Sequence, residues 1–137
     1  MKIRKVSLIG FYNEKNQILL QERGDYSKNG EEWAFFGGGI EKGETPEEAF
    51  IREAKEELDL DMTKFAYDYL GESIYEFPEK IVYWNLFLIK TDLKETDFTV
   101  LEGKAAKYFS FEEAKKLKFP SDPSDMIDKI KNYILSK

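Results

Sequence analysis

The sequence predicts an α+β domain in which a β-sheet lies between helices. Runs of branched and aromatic residues predict strands in both halves of the chain, and two capping patterns mark the starts of helices. A further amphipathic stretch closes the chain. A length of 137 residues suits one domain with a hydrophobic core and is short for two. We therefore expect residues 1–137 to form a single domain.

The N-terminal part predicts a β-hairpin. Residues 5–12 have strand character, residues 13–17 form a turn cluster, and residues 18–21 resume the strand pattern. Residues 24–32 are polar and predict a loop. A short apolar segment, residues 33–36, then runs into three consecutive glycines.

A helix is predicted from Thr45 to about Leu58. Thr45 is a good N-cap, a proline follows at the first helical position, and Glu48 completes a capping box. Phe50, Ala54 and Leu58 recur every four residues, so they form an apolar stripe that packs inward.

The second half of the chain predicts two long strands, residues 65–77 and 80–90, joined by a short turn. The second strand is almost continuously apolar, so we expect it to be central and buried, with Trp84 in the core. A polar connection follows, and residues 107–109 predict a short strand.

Two helices are predicted near the C-terminus. Ser110 and Glu113 form a second capping box before a brief helix. The last helix starts at Asp122 and Pro123. Its apolar residues recur at helical spacing: Met126, Ile127, Ile130, Tyr133 and Ile134.

Composition excludes several classes of function. The chain has no cysteine and no histidine, which removes disulfides, thiolate or histidine metal sites and the Ser-His-Asp triad. The net charge of −6 argues against binding a nucleic acid polymer or an anionic membrane. No targeting or membrane-spanning pattern is visible, so we expect a cytoplasmic protein.

Acidic residues on the first predicted helix suggest a metal site. Glu53, Glu56 and Glu57 are three and four residues apart, so their carboxylates project from one face. Arg52 offsets part of their repulsion, and a divalent cation such as Mg²⁺ would offset more. The glycine-rich loop can return Glu44 toward the same face. The simpler alternative is a hydrated helix face, but chance matches to the whole spacing have a frequency of only about 10⁻⁴.

This spacing resembles the Nudix box, G-x5-E-x7-R-E-U-x-E-E-x-G-U, where U is aliphatic. Asp59 stands where the family has glycine, so we expect a helix end with positive φ and a small stability cost. The residues that match are Gly38, Glu44, Arg52, Glu53, Ala54, Glu56, Glu57 and Leu60.

The resemblance extends beyond the box. Residues 75–89 are similar to paired strands of MutT-like Nudix proteins, and residues 102–111 resemble their EGQ-x3-W-x-S stretch. The resemblance implies the Nudix fold, an α/β/α sandwich in which a mixed β-sheet is packed between helices.

The resemblance also implies an enzyme that uses Mg²⁺ or Mn²⁺ to cleave a nucleoside diphosphate linked to another group. Glu53 is favoured over Glu102 as the general base, and Glu44 and Arg52 organise the other carboxylates. The implied metal ligands are Gly38 through its carbonyl, Glu53, Glu56, Glu57 and Glu102.

Four residues are candidates for contacting the substrate. Arg23 stands where MutT-like proteins carry an arginine that contacts phosphate, although a lone strand-end arginine is often only a surface residue. Phe35 and Phe77 are candidates for a base pocket, with core packing as the alternative. Asp122 falls where the family has a base-reading asparagine, and its alternative role is a helix cap.

The favoured function is MutT-like hydrolysis of a nucleoside triphosphate, including an oxidised one such as 8-oxo-dGTP, to the monophosphate and pyrophosphate. The alternative substrates are ADP-ribose, a nucleoside diphosphate sugar and a dinucleoside polyphosphate. A catalytically silent nucleotide-binding module is the alternative from another class. Either a monomer or a homodimer fits the sequence.

Overall fold

The computed structural model describes residues 2–24 and 32–137, so most of the predicted loop at residues 24–32 lies outside the described residues. The described part forms seven strands and three helices. The strands are β1 (Lys2–Tyr12), β2 (Ile18–Glu22), β3 (Trp33–Ala34), β4 (Phe36–Gly39), β5 (Asp68–Glu76), β6 (Lys80–Lys90) and β7 (Ala105–Phe109). The helices are α1 (Pro46–Leu58), α2 (Phe111–Lys115) and α3 (Ser124–Leu135).

All seven strands belong to one mixed sheet. Its main order is β3-β2-β1-β6-β5, while β4 pairs with β1 and β7 pairs with β2. Strands β1 and β6 run parallel along their whole length, from Lys2 opposite Lys80 to Tyr12 opposite Lys90. The other strand pairs are antiparallel. Strand β6 therefore lies between β1 and β5, which confirms that the apolar strand is central.

Helices cover both faces of the sheet. Alternate residues of β1 point to opposite sides, so Ile9 and Phe11 pack with α1, whereas Tyr12 packs with α2 and α3. The apolar stripe of α1 is buried as predicted, with Phe50 fully enclosed. The arrangement is the predicted α/β/α sandwich, with one hydrophobic core on each side of the sheet.

The helix starts agree with the predicted capping patterns. In α1 the Thr45 hydroxyl accepts a hydrogen bond from Glu48 N (3.1 Å), and Thr45 N donates to the Glu48 carboxylate (2.9 Å). Ser110 and Glu113 form the same reciprocal pair at α2. These side chains satisfy backbone N–H groups that the first helical turn leaves without partners.

The strand predicted at residues 65–77 starts later than expected, at Asp68. Residues Met62–Lys64 form a 3₁₀ turn, and Phe65 follows it in an extended conformation. The Asp61 carboxylate accepts a hydrogen bond from Thr63 N (3.0 Å) and so stabilises this turn. Residues 65–67 are therefore an irregular connection between this turn and β5.

None of the helices in the described part of the chain combines the length and the apolar character that crossing a bilayer requires.

The end of α1 confirms the expected backbone conformation of Asp59. This residue caps the helix with φ 53° and ψ 38°, which is the left-handed region. Its carboxylate pairs with Lys55 at 2.6 Å, but the pair is exposed to solvent and contributes little. The non-glycine residue therefore carries backbone strain that a glycine would not.

We predict that Asp59→Gly increases the free energy of unfolding by about 0.5–1 kcal/mol, because glycine adopts this conformation without steric cost. Urea unfolding followed by circular dichroism measures the change. Asp61→Gly is the matched control and should destabilise the protein, because Asp61 has φ −92° and its side chain caps a turn. A loss of stability in Asp59→Gly would contradict the strain argument.

Candidate active site

Two glycines bring the first helix against the sheet. A Cβ atom at Gly37 would lie 2.1 Å from Ser7 O, and one at Gly38 would lie 2.6 Å from Glu53 Oε1. Gly37 also has φ +134°, a value that favours glycine. The absence of a side chain at Gly38 therefore makes room for the Glu53 carboxylate beside β4, whereas the absence of one at Gly37 lets β4 lie close to β1.

Arg52 organises the acidic groups around the loop before α1. Its Nε and Nη2 atoms donate to the two oxygens of Glu44 at 2.6 and 3.0 Å, and Nη2 also donates to Gly39 O. Its Nη1 atom donates to Glu53 Oε1 at 2.9 Å and to Glu56 at 3.2 Å. These bonds hold the pKa of Glu44 below its usual value and raise that of Arg52. The arrangement agrees with the organising role predicted for Glu44 and Arg52.

Glu57 is the most unusual group in the site. It is only 2% exposed, and its Oε1 accepts a long hydrogen bond from Gly37 N (3.3 Å). Its Oε2 accepts no hydrogen bond from any described residue, since the carboxylates of Glu53 and Glu102 face it and offer no proton when ionised. Burial, followed by these two acids, raises the pKa of Glu57 to about 10.

The structure separates Glu56 from the other two helix acids. The Glu56 side chain is 58% exposed and pairs with Arg52, whereas the Glu53 side chain is 13% exposed and faces Gly38. Glu53 and Glu57 are four residues apart and share the face that packs on β4. The metal-ligating role of Glu56 remains a prediction, and its carboxylate shares the Arg52 Nη1 donor with Glu53.

Glu102 approaches Glu57 from an irregular loop before β7. Leu101 N donates to Glu57 O at 2.8 Å, and Gln21 Nε2 donates to Glu102 O at 2.9 Å. Gly103 has φ +90°, and a Cβ atom there would lie 2.8 Å from Gln21 Cγ. Gln21 is not among the predicted site residues, because nothing in its local sequence distinguishes it.

A cavity of about 440 Å³ opens beside these carboxylates on the α2/α3 side of the sheet. One end is acidic and is lined by Glu53 and Glu102, next to Gly37 and Gly38. The remaining walls are aromatic and basic. Of the predicted substrate contacts, the cavity wall includes Arg23, Phe35 and Phe77.

Asp122 is placed differently from the other three substrate candidates. It is not among the residues that line the cavity, although Ser121 and Pro123 are. Its carboxylate accepts hydrogen bonds from Ser124 N (3.0 Å) and Ser124 Oγ (2.7 Å), which lowers the pKa of Asp122. The N-cap of α3 is Pro123, so Asp122 lies one residue before the cap, where its carboxylate satisfies the N–H of the first helical residue.

Sequence reasoning missed several residues of the cavity wall. Trp84, expected in the core, lines the cavity and packs on Tyr75 with ring centroids 4.4 Å apart. Arg4 and Lys80 also line the wall, near the N-terminal ends of β1 and β6. The alternation of side chains along a strand could have predicted these positions. Residues 4 and 84 are even-numbered, as are the apolar residues of β1 and β6 that face this side of the sheet.

The donor set fits a hard divalent cation. Carboxylate and backbone carbonyl oxygens are the ligands that Mg²⁺ and Mn²⁺ prefer. The buried Glu57 Oε2 lacks a partner among the described residues, and a cation would remove the repulsion among the three acids. Within residues 2–24 and 32–137, no group of three or more acidic side chains is placed so that it could hold a metal ion as it stands, so these carboxylates would have to move to bind a cation.

Comparison with known proteins establishes the family. A family model of the NUDIX domain matches residues 1–130. The 8-oxo-dGTP diphosphatase of Escherichia coli (strain K12) is 30% identical over 132 residues, covering 96% of this chain and 98% of that protein. The RNA pyrophosphohydrolase of a Nitratiruptor species is 34% identical over 79 residues. That alignment covers 58% of this chain and 49% of the relative, so the chain spans about half the length of that protein.

The fold is shared with solved structures. The crystal structure of the MutT protein from Methanosarcina mazei Go1 superposes with a TM-score of 0.75 at 20% identity, covering 97% of this chain and 96% of that one. The chain therefore belongs to the Nudix family, as a MutT-like Nudix hydrolase. This confirms the predicted family and fold. Nudix hydrolases generally depend on a divalent metal ion and act on small nucleotide substrates.

We predict that Glu57→Gln reduces the pH dependence of stability in metal-free buffer. The pKa of Glu57 is about 10 in the folded protein and near 4.5 when unfolded, so the folded state holds the extra proton between these values. Wild-type stability should therefore fall as pH rises from about 5 to about 9, by at most about 1.4 kcal/mol per pH unit. The free energy of unfolding of Glu57→Gln should therefore change less with pH, so that the difference between this variant and the wild type grows across the same range.

Thermal unfolding in EDTA at several pH values measures this difference. Glu56→Gln is the matched control, because it removes an exposed carboxylate from the same helix and should show no such growth. A difference between Glu57→Gln and wild type that stays constant from about pH 5 to about pH 9 would contradict the prediction.

Proposed function

We propose that this protein is a divalent-cation-dependent pyrophosphohydrolase that converts a nucleoside triphosphate into the monophosphate and pyrophosphate. The observation that carries the proposal is the buried Glu57 carboxylate, flanked by Glu53 and Glu102 at the acidic end of the cavity. Grouping three acids in this way is costly unless a cation neutralises them. A polyphosphate chain would enter from the cavity and share that cation.

The residues that would hold Mg²⁺ or Mn²⁺ are Glu53, Glu57, Glu102 and the backbone carbonyl of Gly38. When bound, the cation supplies charge neutralisation at the phosphate oxygens and makes water more acidic. The exposed Glu56 would have to turn away from Arg52 to join this set. We therefore expect its contribution to be smaller than that of Glu57.

Arg52 would fix the orientation of the general base. It donates to Glu53 Oε1 and leaves Oε2 free of that bond, so Glu53 Oε2 is suited to take a proton from the attacking water. Glu44 holds the guanidinium in place through two bonds. Glu102 is the alternative base, because its side chain also lines the cavity.

The aromatic walls would hold the nucleoside. Phe35 packs on Phe119 with ring centroids 6.0 Å apart, and Phe77 and Trp84 line the same cavity. Aromatic faces suit stacking on a base without strict selection among bases. We assign Arg23 to a phosphate oxygen, since a guanidinium matches phosphate geometry. A relative named 8-oxo-dGTP diphosphatase supports the same substrate class.

A second candidate substrate is a nucleotide that carries additional phosphate, such as a dinucleoside polyphosphate. Arg4 and Lys80 line the cavity, and neither forms an ion pair with another described residue. The Lys80 ammonium lies 5.3 Å from the centre of the Phe77 ring. In a chain with a net charge of −6, two such cations on one cavity wall favour an anionic guest. The relatives named RNA pyrophosphohydrolase are consistent with a larger phosphorylated substrate.

We predict that the purified protein with Mg²⁺ releases pyrophosphate and monophosphate from a nucleoside triphosphate, and that EDTA abolishes the reaction. A panel that includes 8-oxo-dGTP, ADP-ribose and a dinucleoside polyphosphate, with products separated by anion-exchange chromatography, identifies the substrate. Nucleotide binding without turnover of any substrate would refute the enzymatic proposal and favour a silent binding module.

We predict that Glu57→Gln lowers kcat by about 10²-fold or more, because it removes a charged metal ligand. Steady-state kinetics at saturating Mg²⁺ measures the loss. Glu14→Gln is the matched control, since Glu14 lies in the exposed β1–β2 turn and should retain full activity. Full activity in a folded Glu57→Gln protein would exclude a metal role for this residue.

We predict that the double variant Arg4→Ala/Lys80→Ala loses more activity toward substrates with additional phosphate than toward nucleoside triphosphates. The reason is that only a substrate with additional phosphate would place an anion near both Arg4 and Lys80. The ratio of kcat/KM values for the two substrates measures the effect. An equal loss for both substrates would show that these cations do not select the substrate.

A further inference from the structure

Gln21 is a buried polar residue for which the proposed chemistry has no direct use. It lies in β2 between Ala34 of β3 and Ala106 of β7 and is only 5% exposed. Its position would accommodate an apolar side chain, since the three preceding residues of β2 are apolar and fully buried. A buried amide needs hydrogen bonds to offset the cost of leaving water, so its partner indicates its role.

The partner of Gln21 is the loop that carries Glu102. Gln21 Nε2 donates to the backbone carbonyl of Glu102 at 2.9 Å. The next residue, Gly103, has φ +90°, and a Cβ atom there would lie 2.8 Å from Gln21 Cγ and 2.9 Å from Nε2. The loop therefore rests directly on the Gln21 side chain, and glycine is required for that close approach.

The remaining anchors of this loop lie on either side of Glu102. Leu101 N donates to Glu57 O at 2.8 Å, and Lys104 N donates to Glu22 O at 2.7 Å. Both bonds fix the backbone before and after Glu102. The Gln21 amide adds a side-chain anchor at the carbonyl of Glu102 itself.

We propose that Gln21 is a positioning residue, whose amide holds the Glu102 loop so that the Glu102 carboxylate stands beside Glu57. This inference rests on the proposed function, in which Glu57 and Glu102 hold a divalent cation together. Loss of the Gln21 bond lets the loop move away from Glu57 and weakens cation binding. Gln21 also lines the cavity, and the proposal assigns its role to the bond with the Glu102 backbone and not to direct contact with the cation.

The variant Gln21→Leu tests the proposal, because leucine is apolar, similar in size and has no donor. Mn²⁺ is titrated into the nucleotide-free protein, and the decrease of the electron paramagnetic resonance signal of free Mn²⁺ gives the binding affinity. This measurement does not depend on turnover. We expect Gln21→Leu to weaken Mn²⁺ binding about tenfold, the scale found for residues that orient metal ligands. The half-saturating Mg²⁺ concentration for turnover should rise by a similar factor, with little change in the nucleotide KM at saturating Mg²⁺.

Two further variants keep the test decisive. Gly103→Ala displaces the same loop while retaining the Gln21 amide, so it should weaken Mn²⁺ binding in the same direction. Gln17→Leu is the matched control, because the side-chain oxygen of Gln17 accepts a hydrogen bond from the side-chain amide of Asn13 within the β1–β2 turn. That control should bind Mn²⁺ as the wild type does, and circular dichroism of all variants checks the fold.

A double-variant cycle with Glu102→Gln separates this inference from the proposed function. If Gln21 acts through Glu102, adding Gln21→Leu to Glu102→Gln should change Mn²⁺ affinity less than about twofold. The positioning role is overturned if the effects of the two substitutions on the free energy of Mn²⁺ binding are fully additive. It is also overturned if a folded Gln21→Leu protein binds Mn²⁺ with wild-type affinity. If the wild type binds no Mn²⁺, or Glu102→Gln leaves binding unchanged, the proposed metal site itself fails, and the inference fails with it.

Discussion

The structure depends on a buried carboxylate that the protein itself does not neutralise. Glu57 contacts one backbone N–H through Oε1, and its second oxygen has no partner among the described residues. Arg52 directs its hydrogen bonds to other carboxylates, those of Glu44 and Glu53. Burying a charge without a partner is expensive, which is why the pKa of Glu57 is raised and the carboxyl group holds a proton in the metal-free protein. Under the proposed function, a bound cation would replace that proton and offset the cost of grouping Glu57 with two other acids.

Backbone shape places the acids where they meet. Gly38 lets the Glu53 carboxylate of α1 lie directly against β4, and Gly37 lets β4 lie close to β1 while its N–H donates to Glu57. Gly103 performs the same role from the opposite direction, because it lets the loop that carries the third acid rest on the side chain below it. Three separate segments thus meet at one point, and glycines remove the side chains that would block the approach. Rigid elements supply two of the acids, and an anchored loop supplies the third.

The cavity divides the chemistry of the site between its two ends. Acidic groups lie where a polyphosphate would be cleaved, and aromatic side chains line the space in which a nucleoside would fit. Membership of the Nudix family explains the first end, since the box residues supply two of its acids. The second end is built from residues of β1, β6 and the segment before α3, which the box does not include. Under the proposed function, substrate choice would therefore depend on the cavity walls and not on α1.

Local signals in the sequence determined much of this protein. The two capping boxes, the buried stripe of α1, the central position of β6 and the left-handed cap at Asp59 depend on neighbouring residues and strand composition, so they could be predicted. The box spacing also indicated the acids and their organising arginine. Only the tertiary structure decided that Glu56 is exposed to solvent, that Trp84 lines a cavity and that Gln21 bonds to the loop before β7. Those outcomes depend on contacts between segments that are far apart in the sequence, and no local periodicity records which side chains such contacts enclose.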